Sequence, residues 1–211
     1  MKVSAPFAPL PFFLFRPTVV HINVVKDLRT IAAFDHQCHT VNRNWWNAVM
    51  MNLGSVAGVV TNFGAGYISL KQPTGTVGAI PEGACIMNLS GPVNTSARGI
   101  VVGTGTGAES FEGYALGTQC VHGTGANQLS HGLSPTIGQS YSSGPRTWTL
   151  TVARSFTNGS GSQIDVAEVA MYAYVYAWAA MVWRDLLGAV VPVPINAVLT
   201  VSYPMTLTLP A

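Results

Sequence analysis

The C-terminal third of the chain alternates large apolar and small polar side chains at every second position. Two stretches carry this pattern, residues 147–156 and residues 199–209. Their apolar positions are Trp148, Leu150, Val152 and Phe156, then Leu199, Val201, Tyr203, Met205, Leu207 and Leu209. Successive side chains of a strand point to opposite faces, so the pattern predicts two half-buried strands of an antiparallel sandwich. Arg154 is the one charged residue on the apolar side of the first strand.

Two further features follow the first of these strands. Residues 157–162 form a Thr-Asn-Gly-Ser-Gly-Ser cluster, which predicts a hairpin-type turn with glycine at positive φ and Asn and Ser bonded to their own backbone. Residues 164–172 are apolar, but their alternation changes phase, which predicts a β-bulge near Ala167 and Glu168. Glu168 and Arg184 are charges set in apolar strands. We expect them to form a structural ion pair or to bond a loop backbone.

The remaining chain predicts short strands and loops. The β-branched run 18–25 is typical of a strand. Residues 26–34 are ambiguous, although Leu28, Ile31 and Ala32 suit one helical turn. The other predicted segments are short strands and loops over 62–97 including a strand at 66–70, a buried strand at 98–103, a Ser/Gly linker at 135–145, a strand at 177–187 and a sheet edge at 190–194.

Residues 42–53 predict the best helix. Trp46, Val49, Met50 and Leu53 recur at the spacing of one helix face. Asn42 or Asn44 is a candidate N-cap, and Gly54 a candidate end. The adjacent Trp45 and Trp46 point in different directions on a helix, so we expect one to pack inward and the other to reach a neighbouring element or subunit.

Residues 1–17 predict an extended N-terminal arm. Prolines at positions 6, 9, 11 and 17 disfavour helix and interrupt the apolar run of Phe12, Phe13 and Phe15. That run lacks a clean cleavage site for an export signal and is too short to span a bilayer. The three phenylalanines, with Trp45 and Trp46, are the candidate interface residues. The pattern as a whole predicts a mainly β chain: an antiparallel β-sandwich or jelly roll over 18–211, with one short helix near 42–53.

Charge changes this picture more than any other part of the composition. The 211 residues include only 10 basic and 8 acidic side chains, or 9%, against roughly 25% in ordinary soluble domains. So neutral a surface is poorly protected against self-association, which favours a chain covered by copies of itself or by other subunits. The alternative is a secreted monomer with a neutral Thr/Ser/Asn/Gly surface. The basic residues are scattered, so no direct nucleic-acid site is predicted.

The candidate chemistry is sparse. Residues 103–110 resemble a dinucleotide fingerprint but lack the helix that must follow it, and residues 36–39 offer His-Gln-Cys-His without a second ligand pair for zinc. Ser160 lies in a turn rather than in a nucleophile elbow. The odd number of cysteines (Cys38, Cys85 and Cys120) makes no disulfide framework and suits a reducing cytosol. We therefore predict no catalytic residue, no metal and no cofactor.

Several segments resemble virion structural proteins of tailed bacteriophages. They are Arg-Gly-Ile-Val-Val-Gly-Thr-Gly at 98–105, Tyr-Ala-Leu-Gly-Thr-Gln at 114–119, His-Gly-Thr-Gly-Ala-Asn-Gln-Leu-Ser at 122–130, the run 154–169, Arg-Asp-Leu-Leu at 184–187 and Asn-Ala-Val-Leu-Thr-Val-Ser-Tyr at 196–203. The Asn-Arg-Asn-Trp-Trp segment at 42–46 is similar. The resemblance implies a β-sandwich or jelly-roll subunit used in many copies, and it implies no catalytic residue.

These observations lead to one expected function and two alternatives. We expect a non-enzymatic structural subunit of a phage virion, in the capsid, neck or tail, made in the host cytoplasm. Its partners would be its own copies and other virion proteins, without a membrane span. The first alternative is a receptor- or carbohydrate-binding β-sandwich of a phage fibre. The second is a glycan hydrolase, which would need two carboxylates in one cleft.

Overall fold

The structure is a computed structural model that describes residues 19–38, 40–53, 69–79, 87–133, 138–144 and 146–208. Within these ranges the chain forms thirteen strands and one helix. The elements are β1 (Val19–Lys26), β2 (Arg29–Gln37), β3 (Thr40–Val41), α1 (Arg43–Leu53), β4 (Ser69–Lys71), β5 (Val77–Ala79), β6 (Met87–Asn88), β7 (Gly99–Gly103), β8 (Ser130–His131), β9 (Gly138–Ser142), β10 (Thr147–Thr157), β11 (Ile164–Val175), β12 (Trp178–Val193) and β13 (Val198–Thr208).

Two antiparallel sheets pack face to face, which confirms the predicted mainly β sandwich with one short helix. The six-stranded sheet has the order β2-β1-β13-β10, and the far side of β10 pairs with β9 along residues 147–151 and with β8 at 156–157. The five-stranded sheet has the order β3-β12-β11, and β6 and β7 share the far side of β11. A two-stranded hairpin, β4-β5, stands beside them.

The core lies where the predicted period-two faces meet. From the six-stranded sheet it takes Val152, Phe156, Leu199, Val201, Tyr203 and Met205, as the alternation predicts, together with Val20, Ile22 and Val24 of β1. Opposite them lie the inward positions of β11 and β12. Burial of these side chains supplies the main free energy of folding, at roughly 25 cal/mol per Å² of apolar surface.

The predicted β-bulge in β11 is confirmed. The register with β12 shifts between Val166 and Glu168, so the inward positions change from Val166 to Val169. A second cluster covers the opposite face of this sheet, where Tyr172 and Met181 pack under Leu116 of the loop 104–119. Because both faces are covered, β11 is buried almost continuously, and its sequence shows only a weak alternation.

Four local predictions were wrong. Residues 29–37 form strand β2 rather than a helical turn, because Asp27 and Leu28, both at positive φ, close a tight hairpin with β1. Residues 138–142 form strand β9 rather than a linker. The 157–162 turn joins the two sheets instead of forming a hairpin. Its Asn158 Oδ1 accepts the predicted local bond from the Ser160 N–H, but no glycine there has positive φ.

The helix is confirmed with a different buried face. Asn44, Trp45, Asn47 and Ala48 face the protein, whereas Met50 is exposed. Neither predicted N-cap side chain bonds the first turn, because Asn44 uses its side chain to bond Lys71 of β4 and the Met181 carbonyl. The side-chain amide of Asn42 makes no hydrogen bond with the described residues. The predicted helix end at Gly54 lies outside the described residues. Side-chain bonds to β4 and β12 therefore orient this helix more than apolar periodicity does.

Candidate assembly surface

The apolar inner face of the six-stranded sheet continues past the part that the other sheet covers. At that end, Tyr141, Trp148 and Leu207 lie side by side on β9, β10 and β13. Tyr141 and Trp148 are 48% and 45% exposed, with ring centroids 4.9 Å apart. We call these three residues the overhang. It is an aromatic surface on the same face of β10 as the buried Val152 and Phe156.

Strand β9 lies at one edge of this sheet, and no other described strand pairs with its far side. All five of its residues are exposed, and none of them is charged or proline. Proteins usually blunt free edges with lysine, proline or a bulge, because the unpaired N–H and C=O groups otherwise bind another strand. Beside it, the outer face of β10 and β13 is also neutral, with threonines paired at 149 with 206 and at 147 with 208. Edge and overhang together form a surface suited to another protein chain.

The predicted interface residues lie elsewhere. Trp45 is 9% exposed and packs edge-on against Trp183, 5.6 Å between ring centroids, so it belongs to the core of the subunit. Trp45 is thus the tryptophan of the pair that packs inward, and it leaves little surface for a neighbouring subunit. Trp46 is half-buried against the core and keeps some surface for a partner. Phe12, Phe13 and Phe15 lie outside the described residues. The sequence assigned Trp148 to the buried face, and nothing in the polar run 138–142 signals the overhang.

The predicted pair of Glu168 and Arg184 is confirmed, and it also binds loop backbone. The Arg184 Nε donates to Glu168 Oε2 over 2.7 Å, and Glu168 is fully buried. The same carboxylate accepts backbone N–H bonds from Gly105, Gly117 and Thr118 at 2.9–3.1 Å. The guanidinium donates to the carbonyls of residues 107 and 108. One buried ion pair therefore fastens the glycine-rich loop 104–118 over the five-stranded sheet. The loop resembling a nucleotide motif is held from beneath and does not lead into a helix.

Arg154, the charge on an apolar strand face, is 1% exposed. Its five N–H donors all reach backbone carbonyls, at 2.6–3.0 Å, on Pro92, Thr95, Arg98, Ile100 and Gly132. Burial lowers the pKa of its guanidinium to about 10. A buried cation is tolerated when every donor is satisfied. Arg154 thus holds the 91–100 segment against one end of the sandwich.

A buried histidine lies beside this cage. The two ring nitrogens of His131 contact the carbonyls of Thr95 and Cys120 at 3.1 and 2.9 Å. Burial, and then the charge of Arg154, lower the pKa of His131 to about 4. A neutral imidazole carries one N–H, so it donates to only one of these carbonyls at neutral pH. Burial also raises the pKa of the Cys120 thiol to about 12, which makes this cysteine a poor nucleophile.

A buried hydrogen bond also links the two sheets. The Tyr203 hydroxyl donates to Asp185 over 3.0 Å, beside Trp183. Burial and the neighbouring Asp185 raise the pKa of Tyr203 well above its ordinary value. Trp183 stacks edge-on between Trp45 and Tyr203, so this cluster couples helix, five-stranded sheet and six-stranded sheet. The Tyr203 hydroxyl and the Asp185 carboxylate are partners in this hydrogen bond, which fits a structural role.

The described residues form neither a cluster of metal ligands nor a membrane-spanning helix. The described part of the chain brings no three His, Cys, Asp or Glu side chains together as metal ligands. His36 lies on β2, and His39 lies outside the described residues. In the same described ranges, no helix has the length and apolarity needed to cross a bilayer.

Comparison of the chain with protein-family models, with curated proteins and with solved structures finds no match.

Proposed function

We propose that this protein is a structural subunit of a viral particle, that of a tailed phage, and that it acts by self-association. Copies of the chain would bury the overhang and pair the β9 edge, with other virion proteins as further partners. The subunit would be made in the host cytoplasm and end in the virion. The role needs no catalytic residue, cofactor or direct nucleic-acid contact.

One observation carries this proposal: an uncharged open strand lies directly beside two exposed aromatic rings. Strand addition gives main-chain hydrogen bonds, and the rings give apolar anchors. The 9% charge of the whole chain removes the repulsion that normally opposes such contacts. The open strand, the exposed rings and the low charge all favour self-association. A second copy of the chain is therefore the favoured partner for this surface.

The sheet also offers a second edge, so more than a dimer can form. Strand β2 lies at the opposite side from β9. Ile31 on this strand is 50% exposed, and Leu28 in the turn before it is 99% exposed. Contact between two β9 edges would close as a two-fold dimer. Contact of β9 with the β2 edge of the next copy is head-to-tail, and it generates rings or tubes. A particle built from many copies needs a contact of the second kind.

Negative-stain imaging of the purified chain tests the proposal. We expect rings, tubes or shells at micromolar concentration, because each copy presents two complementary edges. Trp148→Ser should abolish these objects, while Val190→Ser, at an exposed apolar position on β12, should leave them intact. Isolated particles of single-subunit size in the wild-type sample would contradict the proposal. They would favour a binding module instead.

A specific observation supports the receptor- or carbohydrate-binding alternative. The outer face of the β11–β12 hairpin forms the floor of an open pocket between the 72–74 turn and the 95–98 loop. An adjoining pocket lies against the 107–117 loop. No described residue that lines either pocket is an aspartate or glutamate, so the pockets lend no support to the glycan hydrolase alternative.

A further inference from the structure

The pocket on the β11–β12 hairpin has a volume of about 540 Å³. This lies in the range of about 300–1,000 Å³ that small-molecule sites occupy. Its walls are set by well-anchored groups. The Tyr172 hydroxyl accepts a bond from the Leu116 N–H at 3.0 Å, and the Gln119 amide donates to the Ser96 carbonyl. The cavity is therefore formed before any ligand arrives.

Among the described residues that line this pocket, Arg98 alone is charged. Its guanidinium lies over the ring of Tyr174, with 4.1 Å between Arg98 Cζ and the ring centroid. Its backbone is fixed, since the Arg98 carbonyl accepts a bond from the Arg154 side chain at 2.8 Å. The structure places no carboxylate against the Arg98 side chain within the described ranges. A preorganised cation thus faces an open cavity without its counter-charge.

The other lining groups are neutral and polar. Gln72 and Gln119 supply amides, and Thr74, Thr95 and Ser96 supply hydroxyls. These groups match the hydroxyls of a sugar, while a stacked guanidinium matches the planar fork of a carboxylate. A neutral sugar would leave Arg98 unpaired, and a simple carboxylate would leave the amides and hydroxyls unused.

We propose that this pocket binds an acidic saccharide, a pyranose whose carboxylate pairs with Arg98 while its hydroxyls contact the glutamine amides. The inference goes beyond the assembly role and does not depend on it. The pocket lies on the outer face of the five-stranded sheet, whereas the overhang belongs to the inner face of the other sheet. Loss of assembly in an overhang variant should leave binding unchanged.

Saturation-transfer NMR tests the proposal on the full chain in whatever oligomeric state it adopts. The probes are D-galacturonic acid, its methyl ester and sodium acetate at equal ionic strength. The ester keeps the ring and removes the charge, and acetate keeps the charge and removes the ring. We expect the acid to bind with a Kd of about 1 mM. We expect it to bind at least about tenfold more tightly than either control, as one charge-assisted hydrogen bond allows.

Two variants locate the binding. Arg98→Met should remove the preference for the acid over the ester, whereas Arg29→Met on the remote strand β2 makes the same charge change and should have no effect. Ala179→Phe fills the floor of the pocket and should abolish binding of both sugars while the charge of Arg98 is retained. Circular dichroism checks that each variant is folded.

Four results would overturn the proposal. They are equal affinity for acid and ester, acetate binding as tight as acid binding, a folded Arg98→Met protein that keeps its preference, and a folded Ala179→Phe protein that keeps its affinity. Because the steric and the charge variants act through different atoms, misfolding of one still leaves a decisive result from the other.

Discussion

Replacing Arg184 with methionine should cost about 3–5 kcal/mol of unfolding free energy. The change leaves Glu168, which is 0% exposed, without its one charged partner among the described residues. Removing one member of a buried pair is costly because an uncompensated charge remains in the interior. The three backbone N–H bonds to the carboxylate persist, which keeps the loss within this range. Methionine retains most of the apolar stem of the arginine, so packing changes little.

A second variant separates the charge from the packing. In Glu168→Gln with Arg184→Met, the remaining amide oxygen still accepts from Gly105 and Thr118, and no buried charge remains. We expect the double variant to be more stable than the sum of the single losses predicts, by about 1–3 kcal/mol.

Urea unfolding at one fixed protein concentration measures these differences, since self-association would shift the midpoint. Asp165→Asn, at an exposed position of β11, is the control and should change stability by no more than about 0.5 kcal/mol. A loss below about 1 kcal/mol for Arg184→Met, or strict additivity in the double variant, would refute the idea that this ion pair fastens the 104–118 loop.

Three further predictions follow from buried groups. The pKa of His131 is about 4 when folded and 6.5 as a free side chain, so the unfolded chain binds a proton first as pH falls. The stability that neutral His131 contributes is complete above pH 6.5, and about 3 kcal/mol of it is lost by pH 4. His131→Gln should remove this pH dependence when urea unfolding is measured across that range. The same pH dependence in the variant would contradict the lowered pKa of His131. Trp45→Ala should lower the free energy of unfolding by about 3–5 kcal/mol in thermal unfolding, because the ring fills the core, and it should leave the mass of the assembly unchanged. An assembly that dissociates without any loss of subunit stability would instead place Trp45 at an interface between copies. Cys120 should resist iodoacetamide at pH 8 in the folded protein, because its pKa is about 12, and rapid alkylation detected by mass spectrometry would contradict the burial.

Local patterns predicted the features that depend on neighbouring residues alone. The alternation over 147–156 and 199–209 predicted β10 and β13, since each has one covered and one open face. The phase change near Glu168 predicted the bulge, because a period of two makes one extra residue visible. The ion pair was predictable because two isolated charges in apolar strands need partners.

The sequence did not reveal features that depend on distant parts of the chain. Nothing local in the polar run 138–142 distinguishes an edge strand from a linker, and its partner β10 fixes it as β9. The helix face was predicted wrongly because Asn44 and Asn47 are buried through bonds to β4, which polarity alone does not indicate. The overhang depends on where the opposing sheet ends, so the apolar pattern of β10 assigned Trp148 to the core.

The mass of the purified chain in light scattering tests the central claim most directly. The wild-type protein should exceed the 22.2 kDa of one chain and grow with concentration. Ser140→Lys places a charge on the β9 edge and should reduce the mass to that of a single chain, whereas Ser162→Lys, in an exposed loop, should not. A 22.2 kDa wild-type species at every concentration, or an unchanged oligomer in Ser140→Lys, would contradict assembly through this edge.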